Sequence, residues 1–435
     1  MTPTDPATVG LTVLDLARAG RFAEIRDMFA PNLRTMLAPE SLQAAWTAGL
    51  AAHGPVTTVG APVSERAGAG PDGTLVRIPV AFAQGEAAVL VTVTNTGRLA
   101  GIQLAPAEAA QPAPPWQPPG YADPRAFTEQ DVTVSAGGLA VPGTLTVPAT
   151  PGPHPAVLLL PGSGPLDRDS TIGRNKPFKD LAWGLAGQGV VVARFDKVTY
   201  AHGGQFARIP GYTVDDEYVH HSVAALRLLR EHDAVDPARV FVLGHSLGGT
   251  VAPRVAAAEP AVAGLVILAG GAQPLHWAAV RQIRYLASLD PGTAAASQPV
   301  LDAMTEQARL VDSPDLSPAT PAGDLPFNVP APYWLALRDY DPAAAAAKLG
   351  KPMLILQGGR DYQATVADDL SRWRDGLAGR PDVTIRVHDA GNHLFFSGAG
   401  PSKPSEYESA QHVDPAVVTD IATWLTTGIQ LPRSS

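Results

Sequence analysis

The chain has 435 residues, of which 45% are hydrophobic and 17% charged, with a net charge of −9 and no cysteine. A chain of this composition can bury a large core, which argues against a disordered protein; without a Lys/Arg-rich run it lacks the field that draws in nucleic acid, and without thiols it has no disulfide, cysteine nucleophile or Cys-ligated zinc. No stretch reaches the roughly 18 apolar residues of a membrane helix and the first twenty residues lack a leader pattern, so the expectation is a cytoplasmic protein with neither nucleic acid nor membrane as a partner.

A length of 435 residues favours two domains, or one domain with a large insertion. From Pro6 to about Ala52 the apolar residues (Leu11, Leu14, Phe22, Ile25, Phe29) recur at three- and four-residue steps, which predicts helix. Thr74 to Phe82, Ala87 to Thr94 and Leu99 to Leu104 read as strands, and Gln84-Gly85 and Asn95 to Gly97 suit hairpin turns. Residues 1–105 are therefore expected to form a small α+β domain. The Pro-rich run around Gln111 to Pro119 reads as a linker over residues 106–124.

Residues 125–435 carry a different pattern. A two-strand stretch (Val132 to Ser135, Leu139 to Val147) precedes short apolar strands at Ala156 to Leu160, Val190 to Phe195, Val240 to Leu243, Leu265 to Ala269, Met353 to Gln357 and Thr384 to Val387. Helical stretches separate them at Phe178 to Leu185, Val219 to Glu231, Leu247 to Ala258, Val366 to Leu377 and Val417 to Thr426. Alternation of this kind predicts an α/β architecture, a mostly parallel sheet covered on both faces. Residues 274–350 interrupt it with helical stretches (Ala278 to Leu286, Val300 to Leu310) and a Pro-rich passage, Ser313 to Pro332. An insertion of that size is expected to be a helical cap over the carboxyl edge of the sheet.

Gly244-His245-Ser246-Leu247-Gly248 matches G-x-S-x-G between a strand and a helix, where the turn is so sharp that side chains on the flanking glycines would clash. A serine hydroxyl needs a neighbouring base. Three late histidines can supply it. His388 sits in a strand, His412 precedes the last helix at Asp414-Pro415, and His393 lies in a loop after the last strand, the best position for a general base. Asp361, in Gly358-Gly359-Arg360-Asp361-Tyr362 directly after a strand, is expected to orient His393; it could also cap a helix starting near Ala364. Oxyanion donors are expected at the Leu247 amide and, from Leu160-Pro161-Gly162-Ser163-Gly164, at Ser163 with Gly164 next. The polar tracts Asp167 to Lys176 and Arg194 to Lys197 read as a salt-bridge network, with pocket lining as the alternative.

With these residues assembled, the stretch from about Val132 to Gly428 resembles the α/β-hydrolase superfamily, in its serine aminopeptidase-like and acyl-esterase branch with a helical cap. Residues 1–105 resemble the nuclear-transport-factor or cystatin type of domain. The first resemblance implies the triad roles of Ser246, Asp361 and His393 by position; the first-strand loop departs from the family's His-Gly form in having Pro161-Gly162. The expected activity is hydrolysis of acyl esters through an acyl-enzyme, on a small-molecule acyl substrate, with no cofactor and no metal. A thioesterase, peptidase, acyl transferase or cyclase would use the same triad, and a binding protein on a retired hydrolase fold is the reading from another class. The front domain is expected to act as a lid or as the surface of a homodimer.

Overall fold

The computed structural model describes residues 5–34, 39–51, 53–66, 73–111, 115–206, 209, 211–289 and 291–427. They fall into two units, Met1–Pro115 and Trp116–Ser435. In the first, Asp5 caps the helix Pro6–Arg18 by accepting from the amides of Ala7 and Thr8, and Val9, Val13, Leu14 and Ala17 line the buried face of that helix. They pack with Phe22 and Ile25 of the helix Phe22–Met28 onto a sheet of β1 (Val56–Val59), β2 (Val63–Arg66), β3 (Gly73–Phe82), β4 (Gly85–Thr94) and β5 (Leu99–Pro106). β3 buries every second residue, Val76, Ile78, Val80 and Phe82, as a strand with one covered face must. The sheet runs β1-β3-β4-β5, with β2 also paired to β3.

Two corrections apply here. β1 and β2 were not expected, because Thr57, Thr58, Ser64 and Glu65 break the apolar alternation by which the other strands are recognised. The expected linker begins too early, since Ala107–Ala110 is a 3₁₀ turn fastened by Arg77 Nη1 to the carbonyl of Ala109 at 2.8 Å. Residues 112–114 of that stretch, and residues 35–38 and 52 of the expected helical segment, lie outside the described residues.

The second unit is built on eight strands: β6 (Phe127–Ala136), β7 (Leu139–Pro148), β8 (His154–Leu160), β9 (Val191–Phe195), β10 (Val235–His245), β11 (Leu265–Leu268), β12 (Met353–Gly358) and β13 (Val383–His388). Their order is β13-β12-β11-β10-β8-β9-β7-β6. The pairs from β9 to β13 are parallel, and β7 joins β9 and β6 antiparallel. β8 and β11 are buried along their whole length, because apolar clusters cover both faces of the sheet.

Between β11 and β12 the described residues form helices at Leu275–Leu289, Pro291–Asp312, Ala331–Leu337 and Pro342–Leu349. The helix Ala331–Leu337 begins at the end of the Pro-rich passage with Pro332 in its first turn, where the missing N–H costs nothing. The helix expected over Val366 to Leu377 is a π-turn, Val366–Leu370, followed by the helix Ser371–Gly376. There the carboxylate of Asp369 accepts from the amide of Thr365 at 2.8 Å and from Arg281 at 2.7 Å, so the side chain turns inward instead of continuing an exposed helix face.

The two polar tracts form an ion-pair network. Arg194, 3% exposed on β9, reaches Asp169 at 3.0 Å and Glu129 at 2.5 Å, while Lys176 meets Asp169 at 2.8 Å and Arg168 meets Asp196 at 3.0 Å. Burial alone would raise the Asp169 carboxyl, but Arg194 and Lys176 outweigh it and hold the group below the ordinary aspartate value. Arg194→Ala strips a buried carboxylate of its main partner, and about 3–5 kcal/mol of stability is expected to go with it. Urea unfolding at pH 7 measures this, and a midpoint equal to that of the unmutated chain would count against the network as a structural element.

Candidate functional site

The sharpest backbone feature lies at the end of β10. Ser246 has φ 55° and ψ −123°, a left-handed conformation that an L-residue holds only under constraint. Flanking glycines make the turn possible: a Cβ on Gly244 would collide with the Gly248 carbonyl, and one on Gly248 with the carbonyl of Leu160. Ser246 opens the helix Leu247–Ala258, so the Leu247 amide is a first-turn N–H with no partner inside the helix.

Asp361 and His393 come from the next loops along the sheet. Asp361 follows β12, and its Oδ2 accepts from His393 Nδ1 at 2.7 Å and from Gln357 Nε2 at 3.1 Å. Its other oxygen takes the amides of Gln363 at 2.7 Å and Ala364 at 3.0 Å. All but 5% of each residue is buried. Asp361 thus also holds the amides two and three residues on, as a cap would, but the helical turn that follows starts at Val366 and is capped by Thr365, which accepts from the amide of Asp368. His393 spends Nδ1 on Asp361, which leaves its other ring nitrogen, Nε2, outside that bond. A Cβ on Gly359 would lie 2.7 Å from the backbone of Asp389, so the glycine lets the acid loop and the histidine loop meet.

His245, the neighbour of Ser246, links the serine turn to that pair. Its Nε2 donates to the carbonyl of His393 at 2.8 Å, and the two rings lie 4.7 Å apart. Burial first, and His393 second, push its pKa down to about 3, so the ring stays neutral and serves as a strut.

The loop after β8 passes beside the serine. A Cβ on Gly162 would stand 3.2 Å from Ser246 Cβ and 3.6 Å from its Oγ. The Gly162 carbonyl accepts from Tyr218 OH at 2.6 Å and Lys197 Nζ at 3.1 Å. The peptide is trans, so the Ser163 N–H points away from that buried pair. Gly164, left-handed at φ 83°, turns its carbonyl to Lys197 Nζ at 2.8 Å. Against Ser246 and Leu247 lies a cavity of about 50 Å³, with Leu275, Ala278 and Leu337 on its apolar walls and Gln282 among its polar ones.

A family model described as serine aminopeptidase, S33, matches residues 173–397. Esterase EstD of Thermotoga maritima is 39% identical over 344 residues, which are 79% of this chain and 77% of that protein. The chain belongs to this family of the α/β-hydrolase superfamily. It is a hydrolase. A second relative, 2,6-dihydropseudooxynicotine hydrolase of Paenarthrobacter nicotinovorans, is 30% identical over 32% of this chain and 35% of its own. Among solved structures, Est1E from Butyrivibrio proteoclasticus superimposes with a TM-score of 0.44 at 14% identity, covering 68% of this chain and 98% of that one.

The other histidines of this hydrolase are placed elsewhere. His388 Nε2 stands 3.3 Å from Asp420, and His412 Nδ1 lies 3.1 Å from Asp180. Among the described residues no helix is long and apolar enough to cross a membrane, and no group of three or more His, Cys, Asp or Glu side chains could hold a metal.

Four residues went unremarked in the sequence: Asp369, Asn392 and Tyr218 bond backbone groups of loops, and Glu217 bonds the side chains of Lys197 and Tyr333. Asp369 accepts from the amides of Ala272 and Gln273 at 2.9 and 3.0 Å, fixing the loop after β11. Asn392 Oδ1 accepts from the amides of Leu394 and Phe396 at 3.0 and 3.1 Å, and its amide donates to Glu406 at 2.9 Å. Glu217 and Tyr218 share a helix, and the only signal for them is a buried polar pair inside an apolar helix face. Asn392→Ala orphans two buried amides, at an expected cost of about 2–4 kcal/mol. The Leu394 and Phe396 amides should exchange with deuterium faster in that variant, and unchanged protection at both would contradict the role given to Asn392.

Proposed function

We propose that the protein hydrolyses carboxylic esters of short acyl groups through an acyl-enzyme, with Ser246 as nucleophile, His393 as general base and Asp361 as the carboxylate that fixes the histidine tautomer. The observation that carries this reading is the 2.7 Å bond from His393 Nδ1 to a buried Asp361, at the same sheet edge as the strained turn that presents Ser246. An aspartate there holds the Nδ1–H tautomer and stabilises the imidazolium formed when Nε2 takes the serine proton. Among the described residues Ser246 Oγ is not hydrogen-bonded to Nε2; such bonds commonly tighten only as substrate seats.

Attack by Oγ on the ester carbonyl places negative charge on its oxygen, and the amides of Leu247 and Ser163 supply fixed donors for it. His393 then passes the proton to the leaving alcohol, and water, activated by the same imidazole, releases the acid. The name of the Thermotoga relative, an esterase, supports ester cleavage. The insertion between β11 and β12 acts in this reading as a cap, since Leu275, Ala278 and Leu337 from its helices form the apolar wall of the cavity at Ser246. A cavity of about 50 Å³ is about the volume of one to two waters, which suits a short acyl chain.

Ser246→Ala should lower hydrolysis of p-nitrophenyl acetate by more than about a thousandfold and abolish labelling by a fluorophosphonate. Asp361→Asn should cost about 10⁴ in kcat through the wrong tautomer. An Ser246→Ala protein that hydrolyses the ester at the unmutated rate would remove the assignment. Leu275→Ala should shift the kcat/KM ratio toward hexanoate over acetate by about tenfold; an unchanged ratio would place the acyl group somewhere other than this cavity.

A further inference from the structure

Lys197, two residues past β9, is 1% exposed, and its ammonium meets four acceptors: the carbonyls of Gly162 and Gly164 at 3.1 and 2.8 Å, Tyr218 OH at 2.8 Å and Glu217 at 2.7 Å. A buried ammonium in such a place costs several kcal/mol of desolvation, and the ion pair with Glu217 accounts for only part of the arrangement. The two carbonyls belong to the loop that runs beside Ser246, and Tyr218 OH adds a second donor to the first of them at 2.6 Å. Gly162 and Gly164 flank Ser163, so both carbonyls next to that residue are held by one cation.

We propose that Lys197 and Tyr218 are positioning residues for ester hydrolysis: by gripping the carbonyls of Gly162 and Gly164 they aim the Ser163 amide at the oxygen that becomes negative during attack. The inference rests on the Ser246 reading above and names the device that would make a flexible glycine loop into a fixed donor. Two effects act together. Rotation of the Gly162–Ser163 peptide is blocked because its oxygen is fastened on the buried side. Donors on that oxygen also polarise the peptide, and hydrogen bonds in series strengthen one another, so the N–H at the other end becomes a better donor. Glu217 holds Lys197 in place and is itself bonded to Tyr333 OH at 2.7 Å. Tyr333 lies on the helix Ala331–Leu337, which also supplies Leu337 to the cavity. The same network therefore joins the donor loop to a wall of the acyl pocket.

The test uses full-length Tyr218→Phe, which deletes one hydroxyl, and Lys197→Met/Glu217→Gln, which removes both charges so that neither is left buried alone. With p-nitrophenyl acetate, kcat should fall about 10- to 100-fold in each variant while KM stays within threefold. The inhibition constant of an alkyl trifluoromethyl ketone, whose adduct carries the same oxyanion, should rise in proportion to the loss of kcat/KM; the variants should still unfold cooperatively. A folded Tyr218→Phe protein with kcat/KM within threefold of the unmutated chain overturns the proposal, as does a fall in kcat with unchanged ketone affinity. Ser246→Ala assayed alongside separates the two readings: if it is inactive and the positioning variants are not, only this inference fails, and if it is active, the assignment of the nucleophile fails first.

Discussion

A hydrogen bond of 2.7 Å between His393 and Asp361 closes the gap between the loops that follow two neighbouring strands, β12 and β13. Parallel strands deliver their loops to one edge of a sheet, so side chains far apart in sequence can meet there without any long excursion of the chain. The meeting is tight because glycine at position 359 lets the acid loop lie against Asp389. It is rigid because Asp361 is already saturated by Gln357 and by the amides of Gln363 and Ala364. His245 then couples the pair to the end of β10 through the carbonyl of His393. Every other feature of the site is arranged around this junction.

Polar groups buried nearby follow one rule. Asp369, Asn392 and Lys197 each put a costly group inside the protein and satisfy it with backbone amides or carbonyls of a loop. Directed bonds of this kind set the shape of a loop beyond what packing alone fixes. Three loops around Ser246 are fixed in this way: those after β8, β11 and β13. In the proposed mechanism such loops hold their donors in place before substrate enters, the condition under which electrostatic stabilisation is largest.

Much of this was legible in the residues. β11 is an uninterrupted apolar run, β8 and β12 are apolar over most of their length, and the helix Leu247–Ala258 begins at the residue after Ser246, so strand ends and the loops bearing Ser246, Asp361 and His393 could be located from pattern alone. β1 and β2 could not, since an edge strand carrying Ser, Thr and Glu has no apolar period to read. The π-turn at Val366–Leu370 was hidden because Asp369, within it, is held by Arg281 and by the amides of Ala272 and Gln273, contacts from distant segments that no local pattern announces. Lys197 stood inside a tract marked as charged, but the tract splits: Arg194 belongs to an ion-pair network, whereas Lys197 belongs to the loop beside Ser246. Spacing does not reveal that division, because two of the four acceptors of Lys197 are backbone carbonyl oxygens, which any residue could supply, and the other two lie on a distant helix.

The central claim is that the Ser246 hydroxyl, the His393–Asp361 pair and the amides of Leu247 and Ser163 converge on one reacting carbon. A crystal structure of the protein inactivated with an alkyl p-nitrophenyl phosphonate tests this most directly, because the tetrahedral phosphorus stands where that carbon would be. The account predicts phosphorus bonded to Ser246 Oγ, with the phosphoryl oxygen about 2.7–3.1 Å from both amides and His393 Nε2 within hydrogen-bonding reach of the adduct. An adduct on another residue, or one on Ser246 whose phosphoryl oxygen faces solvent away from both amides, would contradict it.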